Sequence, residues 1–228
     1  MSEPALAPPT ASALRLVVTA ERLFALHGID GVSLRQIAAE AGSGNNSAVH
    51  YHFGSKDGLI EAILGHRLAQ LTRERQMLVS RCDPDDVRAR FEAHYLPVFA
   101  MAEAPDNRYV SFVEQLQRRE ASGSFFTRLP KDWQTSHEAF LTEMRSLLEA
   151  IDEPMRTMRI ADAQTLCLHA AADRERALAR GSDVPPFALF VGSLLDGVTG
   201  FVTAPTSPGT LRHAGRADAP MAQTLRLL

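Results

Sequence analysis

From about residue 13 to residue 204 the apolar residues of this chain return at intervals of three and four, and no run alternates apolar with polar between hairpin turns. The first spacing lines one face of a helix; the second would mark a half-buried strand. The core must therefore be built from helix faces, and the expected fold is all-α. With 228 residues, 45% of them hydrophobic, the chain is long enough to bury one or two cores. Two cysteines, Cys82 and Cys167, are too few for a disulfide framework or a four-ligand zinc site and read as reduced thiols. The N-terminal stretch MSEPALAPPTASALR lacks the basic-then-apolar layout of a secretory signal. The most apolar stretch, Phe187 to Ala204, contains Asp196 and three glycines, so it reads as a buried or interface helix rather than a membrane span. A cytoplasmic protein with no membrane partner is expected.

Punctuation divides the chain into a Pro- and Ala-rich flexible arm (1–12), a compact head (13–54), a larger helical body (55–204) and a Pro- and Gly-containing tail (205–228). In the head, a helix over about Ala13 to His27 puts Leu16, Val17, Ala20, Leu23 and Phe24 on one face and stops at Gly28. Ser33, with Gln36 three residues on, starts a second short helix that buries Leu34, Ile37, Ala38 and Ala41. A turn at Gly42, Ser43 and Gly44 leads to a third, Asn45 to Phe53, with Val49 and Phe53 inward. Short helix, glycine turn, short helix is the helix-turn-helix layout, whose second helix can enter a DNA major groove.

The stretches AERLFALHGIDGVSLRQIAAEAG and SAVHYHFGSKDGLIEAIL make the segment from Leu14 to Leu64 resemble the DNA-binding domain of the TetR (tetracycline-repressor) family of bacterial regulators. The resemblance implies an all-helical homodimer with a three-helix reader per subunit, a larger helical bundle that binds a small molecule, and no enzymatic activity. It further implies a sequence-specific transcriptional regulator, a repressor released by its effector, with palindromic double-stranded DNA as partner. The alternative is a helical small-molecule-binding dimer that has lost DNA binding. One residue more separates Ala41 from Phe53 than is usual in the family, and Ser43, Gly44, Asn45 and Asn46 replace the usual Val-Ser of the turn.

Carried onto this sequence, Arg35 matches a family position that reaches a base or phosphate, and a guanidinium can grip either with paired hydrogen bonds. Asn46, Ser47 and His50 fall on the exposed side of the third helix, and Asn45 or Asn46 can pair with adenine. His50 stands where the family often has a phosphate-contacting tyrosine. Tyr51 can lay its ring on a sugar or a thymine methyl. His52 and Lys56 match backbone-contact positions that set register rather than sequence.

In the body, Phe91, His94, Tyr95, Phe99, Phe112, Gln115, Trp133, His137, Phe140, Met144 and Cys167 supply the apolar and sparsely polar mixture an effector pocket needs, with a kink at Pro97 as a place for a cavity. The last strong helix carries one stripe of Phe187, Phe190, Leu194, Val198 and Phe201 beside another of Ala188, Val191, Leu195 and Val202. A helix so widely apolar is expected at a dimer interface.

Other chemistry finds no foothold. His50 and His52 diverge by about 200° on a helix and cannot share a metal. His137-Glu138 opens a zinc-protease motif that Leu141 breaks. Gly42 and Gly44 lack the ending of a phosphate loop, and there is no Gly-x-Ser-x-Gly elbow. No cofactor or metal is implied.

Charge sharpens the DNA expectation. The formal net charge is -3, and residues 1–60 hold only Arg15, Arg22, Arg35 and Lys56 against Glu3, Glu21, Asp30, Glu40 and Asp57. Positive charge must therefore act locally, at Arg35, at Lys56 and at Arg67 or Arg73 beside them, helped by helix N-termini that attract phosphate.

Overall fold

The computed structural model describes residues 10–43, 47–119 and 129–214. The arm up to residue 9, Gly44 to Asn46, and the tail beyond 214 lie outside the described residues. Among the described residues there are ten helices and no strand: α1 (Ala11–His27), α2 (Leu34–Glu40), α3 (Ala48–Phe53), α4 (Lys56–Val79), α5 (Val87–Ala102), α6 (Tyr109–Arg119), α7 (Lys131–Leu147), α8 (Met155–Ala179), α9 (Phe187–Thr203) and α10 (Pro208–Ala214). None of them is long and apolar enough to cross a membrane.

Short side chains set the helix starts. The Thr10 hydroxyl accepts from Ala13 N at 3.2 Å, Ser33 Oγ from Gln36 N at 3.1 Å, and Ser55 Oγ from Gly58 N at 3.0 Å. The end of α2 closes with paired reverse bonds, Ser43 N to Ala38 O at 2.9 Å and Gly42 N to Ala39 O at 3.1 Å. That closure requires the left-handed φ of 68° at Gly42. At the α3–α4 corner a Cβ on Gly58 would sit 2.1 Å from Phe53 O, so the turn admits no side chain there.

Two helix starts, those of α5 and α10, depend on which of several nearby polar side chains caps them. α5 begins at Val87, because Asp86 Oδ1 takes Arg88 N (2.8 Å) and Ala89 N (3.2 Å), whereas Asp83 spends its oxygen on Asp85 N in a tight turn (3.0 Å). The supposed tail contains α10, started by Ser207, whose Oγ accepts from Thr210 N at 3.2 Å, and by Pro208 at its first position. α5 itself runs unbroken through Pro97. Pro97 removes the N–H that Ala93 O would accept, and the neighbouring His94 O receives Arg75 Nε at 2.8 Å.

The head and the body share one core. α1 packs on α2, α4 and α6, and Phe24 stacks on Phe112 with centroids 6.1 Å apart. Within this apolar seam Glu21 is 1% exposed. Its carboxylate accepts Arg67 Nε at 2.9 Å, Arg67 Nη2 at 3.0 Å and the backbone N of Arg108 at 3.2 Å. A second buried carboxylate, Glu175 of α8, accepts Val110 N and Ser111 N and so caps α6 from a distant helix. Burial pushes its pKa up.

α9 packs on α5 and α8 through Val191, Leu195, Val198 and Val202. This corrects the stripe assignment: four side chains expected at a partner are buried by the subunit itself. Phe187, Phe190 and Leu194 are half-buried against the same core, and Phe201 is exposed. The apolar residues of α9 spread over more than one face, and α5 and α8 cover the one they pack against.

Two stability predictions follow from these buried groups. Glu21→Gln removes the counter-charge of Arg67 and one strong acceptor, and should lower unfolding free energy by about 2 kcal/mol in urea titrations. A change within ~0.5 kcal/mol would show that the pair carries no weight. His137 is stacked on Trp133 (centroids 4.9 Å), and burial, then the charges of Arg75 and Arg145, lower its pKa to about 3. Between the unfolded value of about 6.5 and this value, the unfolded chain binds a proton that the folded chain refuses. Stability should therefore fall as pH drops through that window, and His137→Gln should flatten the slope.

Candidate nucleic-acid interface

The reading edge is built by α2 and α3, held from behind by α1 and α4. Ile37 and Ala38 of α2 and Ala48 and Val49 of α3 are buried, and the small Ala38 lets the helices approach. Their outer faces are left to solvent. Arg35, Ser47 and His50 are exposed, and Tyr51 is 84% exposed, the most of any large apolar side chain among the described residues. A ring left so far in water packs on little of its own chain, so it is available to a partner. The His52 ring meets Tyr51 edge-on at 5.0 Å and lies half-buried beside Phe53. His50 Nδ1 lies 2.9 Å from Gly54 O. A carbonyl only accepts, so Nδ1 carries the hydrogen and Nε2 is the ring's outward nitrogen. Asn45 and Asn46 lie outside the described residues.

Lys56 sits at the first position of α4, where its Nζ donates to Ile29 O at 2.9 Å. It ties α4 to the α1–α2 turn. Arg67, expected near phosphate, is instead bound to Glu21.

Residues 16–63, which contain α2, α3 and the start of α4, match the family model described as bacterial regulatory proteins, tetR family. Over this stretch the chain is similar to the TetR family. Over most of its length the fold also resembles two TetR-family transcriptional regulators from Streptomyces coelicolor. One has a TM-score of 0.54 and 19% identity, covering 84% of this chain and 94% of the other. The second has a TM-score of 0.50 and 18% identity, covering 94% and 92%. Salmonella enterica GusR is similar at a TM-score of 0.50 and 15% identity, covering 87% of this chain and 99% of its own. At such identities the likeness is one of fold. No curated protein matches the chain in sequence.

Part of the charge of this head is already paired. Arg22 pairs with Glu40 across α1 and α2 (2.6 Å). Arg119 of α6 reaches Asp30 at 3.2 Å and Asp57 at 3.4 Å, binding the head to the body. Arg35 stands exposed on α2 beside Tyr51's helix, so the cationic part of the reading edge is small.

The body opens a cleft of about 430 Å³ between α4, α5 and α7. Of the residues singled out from sequence, His94 and Phe140 line it, their rings stacked with centroids 3.9 Å apart. Phe91, Tyr95, Phe99, Trp133, Met144 and Cys167 are buried side chains of the body, and burial lifts the Cys167 thiol to about 12. Phe112 lies under α1 instead, and Gln115 Oε1 would be 3.8 Å from a Cβ on Gly28, so both belong to the junction with the head. Arg75 and Arg90 line the cleft and were missed from sequence. The signal existed for Arg75: it takes its place among Leu68, Leu71 and Leu78 at spacings of three and four, a cation in an apolar stripe. Among the described residues no group of three or more His, Cys, Asp or Glu side chains could hold a metal.

The exposure of Tyr51 sets an expectation. Tyr51→Ala should leave unfolding free energy within about 0.5 kcal/mol of the parent, yet weaken binding to a selected duplex about tenfold. An unchanged DNA affinity in a fluorescence-anisotropy titration would remove Tyr51 from the interface.

Proposed function

We propose that this protein is a sequence-specific transcriptional repressor that binds a palindromic operator as a homodimer and leaves it when a small molecule occupies the body. The carrying observation is the family-matched head, whose α2 and α3 turn Arg35, His50 and Tyr51 to solvent while their other faces are buried. In this reading α3 enters the major groove, with Arg35 and Tyr51 beside it, and His50, His52 and the residues of the α2–α3 turn, Asn45, Asn46 and Ser47, complete the contact. Lys56 contributes by fixing the entry of α4 through Ile29 O.

The homodimer forms, in this reading, through the outer faces of α8 and α9. Met158 and Leu166 on α8 and Leu189 and Phe201 on α9 are exposed, and Gly197 and Gly200 allow close approach between helices. The effector enters the cleft between α4, α5 and α7, and α4 carries the change to the head.

The test is selection of bound duplexes from a random pool by the purified chain, with oligomeric state read by light scattering. Selection of a palindrome by a dimer is expected. Selection of nothing at low salt would leave a helical dimer without DNA function. Salt dependence gives a second reading. With Arg15 and Arg35 as the exposed head cations that no carboxylate engages among the described residues of each subunit, Arg22 being paired with Glu40, the slope of log affinity against log salt should be about −4 or shallower for a dimer, and Arg35→Ala should reduce it by about 2. A slope near −8 would contradict this assignment.

A further inference from the structure

Among the buried arginines of the body, Arg90 meets Glu143 at 3.4 Å and Arg174 is held by Glu103. Arg75 has no such partner among the described residues. It is 1% exposed; its Nε donates to His94 O at 2.8 Å, while Nη1 and Nη2 have no hydrogen-bond partner among the described residues. Burial lowers its pKa to about 10, and no carboxylate offsets this; the nearby hydroxyls of Tyr95 and Tyr109 are neutral, since burial raises the pKa of both. A guanidinium shut away from water with both Nη groups unpaired and no counter-ion is a costly arrangement, and an apolar side chain of the same length would be cheaper there. Arg75 also lines the α4–α5–α7 cleft, whose volume of about 430 Å³ lies in the range of small-molecule sites.

We propose that this cleft binds an organic monocarboxylate, whose two oxygens pair with Nη1 and Nη2 of Arg75 and whose apolar body rests on Phe140 and Ala139. The planar fork of a guanidinium matches a carboxylate in two parallel hydrogen bonds. The cleft's other arginine, Arg90, is already neutralised by Glu143, and Asp132 adds a negative charge at the wall. The site therefore has one cation to spend and disfavours dianions such as phosphate esters and dicarboxylates. Both Nη atoms are closed to solvent, so the acid reaches them by displacing part of a wall that includes the stacked His94 and Phe140 rings. This deepens the regulator reading by naming its effector class, and depends on that reading only for the link to DNA.

The test uses the purified full chain, calorimetric titration and thermal unfolding, with benzoate, phenylacetate and octanoate set against their amides. At least one acid should bind tenfold or more tightly than its amide. Arg75→Met should bring acid and amide within twofold of each other and should unfold, without ligand, at the same or a higher temperature than the parent. Arg75→Lys, which keeps the charge but not the fork, should retain the preference for acids at reduced affinity, and it decides the matter should Arg75→Met fail to fold. Amides binding as well as acids, no acid binding at about 10 mM, or an acid preference surviving in Arg75→Met would each overturn the proposal. Binding of the selected duplex by ligand-free parent and Arg75→Met is measured separately: its loss in both refutes the DNA reading and leaves the acid preference to be scored by calorimetry.

Discussion

The arrangement of the molecule depends on the carboxylate of Glu21. It lies on the buried face of α1 among Leu16, Val17, Ala20, Leu23 and Phe24, where a lone charge would be unfavourable. Arg67 meets both of its oxygens from α4, and the backbone of Arg108 meets one from the segment before α6. One side chain thus joins three parts of the chain that are far apart in sequence. The Phe24–Phe112 stack and the Arg119 bridges to Asp30 and Asp57 reinforce the same seam. Polar satisfaction and apolar packing agree here, so a large turn of the head on the body would break both.

Much of this was legible in the sequence because it depends on neighbours in the chain. The three- and four-residue spacing of Leu16, Ala20, Leu23 and Phe24, the caps at Ser33 and Ser55, and the glycine stop at Gly28 are local signals, and the helices follow them. Whatever distant residues decide was not legible. Lys56 has the same chemistry whether it faces phosphate or Ile29 O, and only the approach of the α1–α2 turn selects the carbonyl. Arg67 likewise turns to Glu21 because α1 brings it there. On α9 the apolar residues spread across more than one face, and only the positions of α5 and α8 determine that Val191, Leu195, Val198 and Val202 point inward. The Asp86 start of α5 was obscured by two nearby aspartates able to play the same part.

Buried carboxylates recur as organisers. Glu21 serves the segment before α6, Glu175 serves the first amides of α6, and Glu114, nearly buried on α6, receives Arg118 and Arg176. α6 is therefore fixed at its start, along its length and at Arg119 near its end, a dense set of constraints for an eleven-residue helix. It forms the fixed floor on which α1 rests.

α4 runs from the head to the cleft without a proline. Its 24 residues make a rod of about 36 Å at 1.5 Å per residue. Lys56 stands at one end, and Arg75, Gln76 and Val79 line the cleft at the other. For a rod of that length, a tilt of about 5° moves the far end by about 3 Å, roughly the span of one hydrogen bond. Leverage of this kind needs no unfolding and no new contact within the head. An adjustment of a few degrees, made around a side chain in the last turns of α4, is large enough at the first turn to decide whether a donor meets its acceptor.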